Sequence, residues 1–190
     1  MAEDRLNPRA SATATVIRGS GIRDQEEFVT LEGHYEVWCV GPDGKEKWRD
    51  TIKNLVTTVG KNDFLDKYLK GAAYTQTIVM GLCGAGTKAV GDTQASHAGW
   101  LEVGLANAPT YTGNRKAVTM GSAAAGSSVS PTQAFAITSA GTVAGCFINN
   151  GGSATKDDTS GVLFSAGDFT GGSKTVANLD TLNVVYTLSV

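Results

Sequence analysis

The chain has 190 residues, 16 basic and 18 acidic side chains and a net charge of −2, so it lacks the basic stripe expected of a nucleic-acid binder. No apolar run approaches the ~18 residues of a membrane-spanning helix. A domain of this length buries roughly 70% of its unfolded surface and needs neither metal nor disulfide to fold.

Residues 1–27 are polar, contain Pro8 and Gly19 and show no sustained periodicity. They read as an extended N-terminal arm with a short strand at Thr13–Ile17, and the absence of an apolar h-region argues against a signal peptide. A domain is expected over 28–190. "GHYEVWCV-GPDG-KEKWRDT" reads as two strands around a turn, with Pro42 at i+1 and Gly44 at i+3. Tyr35, Val37 and Cys39 share one face of the first strand, and Glu36 and Trp38 the other.

"NLVTTVGKNDFLDKYLKG" predicts the one helix, over about 58–70. Val59, Phe64, Leu65, Tyr68 and Leu69 form an apolar stripe expected to pack on a sheet. Asp63 and Asp66 each precede a lysine, Lys67 and Lys70, by four residues, and Gly71 supplies the stop. Strands follow at "TQTIVMGL", "RKAVTM", "TQAFAITS", "TVAGCFIN", "VLFSA" and "DTLNVVYTLSV", separated by Gly/Ser/Ala-rich turns including Asn150-Gly151. "DTQASHAGW" predicts one helical turn capped by Asp92. In the last strand Leu182, Val184, Tyr186 and Leu188 point to the core, while Val185 interrupts the polar face and marks contact with a neighbour. The fold expected is mainly β, a jelly-roll-like β-sandwich with one short α-helix.

Each group with catalytic potential has a simpler reading. Gly81 and Gly86 have P-loop spacing, but Thr87 and Lys88 stand in the wrong order and Gly91 stops any helix. Asp92, Ser96 and His97 are the residue types of a hydrolase triad, crowded into six positions and without a G-x-S-x-G elbow. His97 reads instead as a packing or capping residue. His34 is the only other histidine, which argues against a multi-histidine metal site. Asp157-Asp158 lacks the pattern of a calcium loop and reads as a solvated turn. Cys39, Cys83 and Cys146 read as buried small hydrophobes in a reduced compartment. Trp38, Trp48 and Trp100 read as core rather than as a sugar platform. No catalytic, cofactor-binding or metal-binding residue is assigned, and no enzymatic activity is expected.

Charge is uneven. Residues 1–70 hold 11 of the 16 Lys/Arg and 12 of the 18 Asp/Glu, leaving 11 charged residues in 71–190. A freely soluble surface usually carries more, so part of this stretch is expected to face protein.

Several segments together, "GKEKWRDTIKNLVTTVGKNDFLDKYLKG", "YTQTIVMGL", "GDTQASHAGWLEV", "TVAGCFI" and "SAGDFTGGSKTVANLDTLNVVYTLSV", resemble a family of tailed-bacteriophage virion structural proteins, from about Trp48 to Val190. "PTYTGNRKAVTM" and "ANLDTLNV" depart from the family's usual pattern. The resemblance implies a capsid decoration (cement) protein made in the host bacterial cytoplasm and placed on the capsid exterior. Its partners would be the major capsid protein and further copies of itself, as a dimer or trimer, with no direct nucleic acid and no membrane. The alternative is a tail or fibre component that binds a host-surface glycan.

Overall fold

The computed structural model describes residues 30–74 and 77–190; the expected arm over 1–27 and the strand at Thr13–Ile17 lie outside the described residues. In chain order the elements are β1 (Glu32–Val40), β2 (Glu46–Lys53), β3 (Leu55–Val56), α1 (Thr58–Tyr68), β4 (Ile78–Cys83), β5 (Glu102–Val103), β6 (Lys116–Val118), β7 (Ser127–Val129), β8 (Gln133–Ala136), β9 (Gly141–Val143), β10 (Gly145–Asn150), β11 (Val162–Asp168), β12 (Lys174–Val176) and β13 (Thr181–Ser189).

The first sheet runs β2-β1-β13, with β7 and β8 sharing the far edge of β13. The second runs β3-β11-β10-β4, with β5 and β6 both on β4, and β9 pairs with β12 separately. All of these ladders are antiparallel. The two sheets face each other across one core, so the chain is mainly β and sandwich-like; this strand order does not by itself establish jelly-roll connectivity.

Alternation decides which faces meet. Tyr35, Val37 and Cys39 of β1 and Leu182, Val184 and Tyr186 of β13 are buried against Met80, Leu82, Cys146 and Ile148 of the second sheet. The Tyr35 and Tyr186 rings lie 4.7 Å apart, and the Tyr35 and Ser165 hydroxyls bridge the sheets at 3.3 Å. Every residue of β10 is buried, because a second, smaller cluster of Cys83, Trp100, Phe147, Leu163 and Ala166 covers the other face of its sheet. That double burial is why these strands read as apolar runs rather than as alternation.

The β1–β2 turn forms as expected, with the Gly44 amide donating to Gly41 O at 2.9 Å and Gly44 at φ 77°. The last strand is central: β13 pairs with β1 from Glu32↔Ser189 to Val40↔Thr181 and with β7 and β8 on its other edge. Leu182, Val184 and Tyr186 are buried and Leu188 packs half-buried against the same core.

Two local expectations are corrected. "DTQASHAGW" forms turns and an isolated Thr93↔Ser96 bridge rather than a helical turn. Asp92 does not cap it; its Oδ2 accepts from the Ala89 amide and the Trp100 indole, both at 2.9 Å. The helical stripe also fails to pack as one face. Phe64 packs against the core, but Leu65, Tyr68 and Leu69 are 49%, 79% and 72% exposed. The reason is Gly60: a Cβ there would lie 2.3 Å from Phe164 O, so the closest approach of helix to sheet centres on Gly60 and, one turn on, Phe64. Leu65 and Leu69 then point away.

Candidate functional site

An apolar hollow lies beneath the C-terminal half of α1, and its walls follow from how the helix is tethered. The Thr57 hydroxyl accepts from the Gly60 amide at 3.0 Å and donates to Leu163 O at 2.5 Å, so one cap residue both starts the helix and binds it to β11. The Thr58 amide donates to Val90 O at 2.8 Å. At the other end Gly71, at φ 67°, turns the chain away, and the Ala72 amide closes on Asp66 O at 3.1 Å. Pinned at its start and released at its end, α1 leaves an apolar cavity of about 410 Å³.

Phe64, Ile78, Ile148, Phe164, Tyr186 and Leu188 form much of its lining. Tyr68 and Tyr74 frame it and are 79% and 63% exposed; Phe64 and Tyr68 stack with centroids 6.3 Å apart. Asp63, Lys67, Ser128 and Asn150 bring polar side chains to it. Asn150 donates through Nδ2 to Asp63 Oδ2 at 3.4 Å, while its own Oδ1 is buried with no donor among the described residues. Lys67 does not pair with Asp63 as its spacing suggests; Nζ donates to Ala73 O at 2.8 Å. The Asp66–Lys70 pair does form, at 3.7 Å.

The hydrolase-type residues are not arranged as a triad. His97 Nδ1 lies 3.1 Å from Trp100 O and the imidazole stacks on the Trp100 ring at 4.0 Å, while Asp92 is committed to the Trp100 indole. His97 is thus the packing residue that its context suggests. In the glycine-rich loop Lys88 folds back onto Gly84 O at 2.9 Å and pairs with Asp168, and no helix follows it to present amides to a phosphate.

The three cysteines are free and buried. Burial pushes the Cys83 thiol up to about 12, and burial with Asp180 alongside does the same for Cys39. These are neutral thiols, poor nucleophiles at ordinary pH. Among the described residues no three His, Cys, Asp or Glu side chains gather as metal ligands. The tryptophans lie apart: Trp100 is buried under the second sheet, Trp48 packs edge-on to Phe169 at 5.6 Å, and Trp38 lies outside under the Arg49 guanidinium at 4.8 Å.

Sequence reasoning missed the structure around Asp157-Asp158. Arg115 and Glu102, both buried, form a bidentate ion pair in which Arg115 Nε and Nη2 donate to Glu102 Oε1 and Oε2 at 3.0 and 2.6 Å. Arg115 also holds Ser153 O at 3.1 Å and Asp158 O at 2.7 Å, and Glu102 accepts the Asp157 amide at 3.0 Å. The segment read as a solvated turn is therefore a latched loop. Only its charge scarcity hinted at this, since two of the few charged residues in 71–190 are spent inside. Compared with family models, curated proteins and solved structures, the chain matches none.

Proposed function

We propose that this chain is a structural protein of a tailed-bacteriophage particle, a decoration protein that binds the outer face of the major capsid lattice and stabilises the shell. The observation that carries the reading is the surface of the charge-poor stretch: Val90, Leu101, Leu105, Val129 and Leu179 are all large, apolar and exposed where only 11 charged residues are spread over 120 positions. Such side chains gain about 25 cal/mol per Å² when a neighbour covers them. The phage-like segments quoted above support the same reading. No bond is made or broken; each copy buries apolar area against capsid subunits and its own neighbours, and lattice repetition turns modest contacts into avidity.

A second reading, a tail or fibre component that binds a host-surface glycan, is favoured by the exposed Tyr68 and Tyr74 at the cavity mouth, because aromatic faces suit sugar rings. Quantitative mass spectrometry of purified particles separates the two. Copies equal to the major capsid protein, or a simple fraction such as one-third, are expected for a lattice protein. A handful per particle would overturn that and leave the tail reading.

A further inference from the structure

The outer side of α1 carries a pattern that the fold of one chain does not use. Residues 63–70 read Asp-Phe-Leu-Asp and then Lys-Tyr-Leu-Lys. The second turn repeats the first with its charge reversed: an aromatic residue and a leucine between two acids, then between two lysines. Part of this pattern is engaged within the chain. Phe64 packs on the core, Asp63 accepts from Asn150 Nδ2 at 3.4 Å and Lys67 donates to Ala73 O at 2.8 Å. The rest faces outward. Leu65, Tyr68 and Leu69 stand exposed, with Leu65 and Leu69 one turn apart on the same side. Beside them Asp66 and Lys70, themselves exposed, pair only with each other among the described residues, at 3.7 Å.

We infer that this side of α1 is a self-association surface, on which a second copy of the chain packs its own α1 antiparallel. A two-fold axis between Asp66 and Lys67 sets the acidic turn of one copy over the basic turn of the other. Leu65 then lies against the partner's Leu69, and Leu69 against the partner's Leu65. Helices in such contact stand about 8–10 Å apart, close enough for Asp66 of each copy to reach the partner's Lys70. Parallel packing would instead set acid beside acid and lysine beside lysine. An isologous interface needs a patch complementary to itself, and the reversal of charge between successive turns supplies one. A foreign partner would make no such demand on the sequence. The exposed ion pairs add little energy; the leucines drive the contact and the charges select its orientation. Two turns a side form an interface below the roughly 1,200 Å² of stable complexes, so the association is weak and follows concentration. The inference does not rest on the capsid reading, because it concerns the free chain.

The test uses the full chain. Sedimentation velocity over a rising concentration series should move the parent from monomer toward dimer, and Leu69→Asp should abolish that shift with the melting temperature of the dilute chain little changed. Asp66→Lys and Lys70→Asp should each weaken the dimer several-fold. Mixing these two variants should restore it, because every pair across the axis is then opposite in sign. The pair within each helix stays broken in the mixture, so recovery reports contact between copies alone. Orientation is read by oxidative cross-linking. The three native cysteines are buried, and in a mixture of Leu65→Cys and Leu69→Cys chains the mixed disulfide should exceed either like-with-like product several-fold. A parent that stays monomeric throughout, a dimer that survives Leu69→Asp, or charge variants no more associated together than apart would overturn the inference. Predominance of like-with-like disulfides would overturn the antiparallel arrangement.

Discussion

Asp50 receives the Thr170 hydroxyl at 2.7 Å, the Lys174 ammonium at 2.8 Å and the Gly171 amide at 3.1 Å, so its carboxylate ties β2 to the connection between β11 and β12. Burial alone would raise its pKa, but the Lys174, Thr170 and backbone hydrogen bonds outweigh it and hold the carboxyl at about 2. An unfolded aspartate titrates near ~3.9. The folded value is depressed, so the stabilisation is fully present above about pH 4 and is lost as pH falls through 2. Asp50→Asn should therefore cost up to about 2 kcal/mol at pH 7 and flatten the decline in urea midpoint between pH 4 and 2. The Arg115–Glu102 pair is a different kind of group, a fully enclosed charge pair. Removing one member strands the other, and Glu102→Leu alone should cost about 3–5 kcal/mol. The double variant Glu102→Leu/Arg115→Met should recover most of that loss in urea denaturation; equal losses in single and double variants would show that the loop, not the charges, sets the cost.

At the level of elements, legibility follows length and one-sided burial. β1, β2 and β13 alternate over eight or nine residues, long enough for a period of two to stand out, and β13 was readable to its end because both its edges are paired. β3, β5, β7 and β12 are two or three residues long, shorter than any period, and were not assigned as strands from sequence; β9, Gly141–Val143, was merged with β10 in the single strand expected at "TVAGCFIN". α1 was readable as a helix within two residues at its end. The face it turns to the sheet was not, because Gly60 carries no hydrophobic signal and acts through space. The cavity was illegible for a related reason: its lining comes from separated elements that only the fold assembles. Val185 is half-buried on the outward face opposite Glu36, and its expected contact with a neighbour is open to a direct test. Val185→Asp sets two carboxylates across from each other at a cost of at most about 1 kcal/mol to the monomer. It should weaken self-association or capsid binding in sedimentation while thermal melting stays cooperative; loss of the fold would contradict the assignment.

On the scale of the whole molecule, two apolar clusters on opposite faces of the second sheet are sealed by different means. The larger is closed by the first sheet, the smaller by the Trp100 loop, with His97 stacked and Asp92 bonded to it. The first sheet has its own dependence on chain order. β1 and β2 are neighbours in sequence, but the strand that completes them, β13, begins about 140 residues after β1 ends. At translation rates of roughly 5–20 residues per second, the hairpin waits about 7–28 s for its partner. Throughout that interval the apolar face of Tyr35, Val37 and Cys39 is uncovered and the β1 edge that β13 will pair is open, and loop closure over so long a span is intrinsically slow. The nascent protein is thus most vulnerable to aggregation before its central strand emerges, and its yield in a cell is governed by how well that early hairpin is shielded.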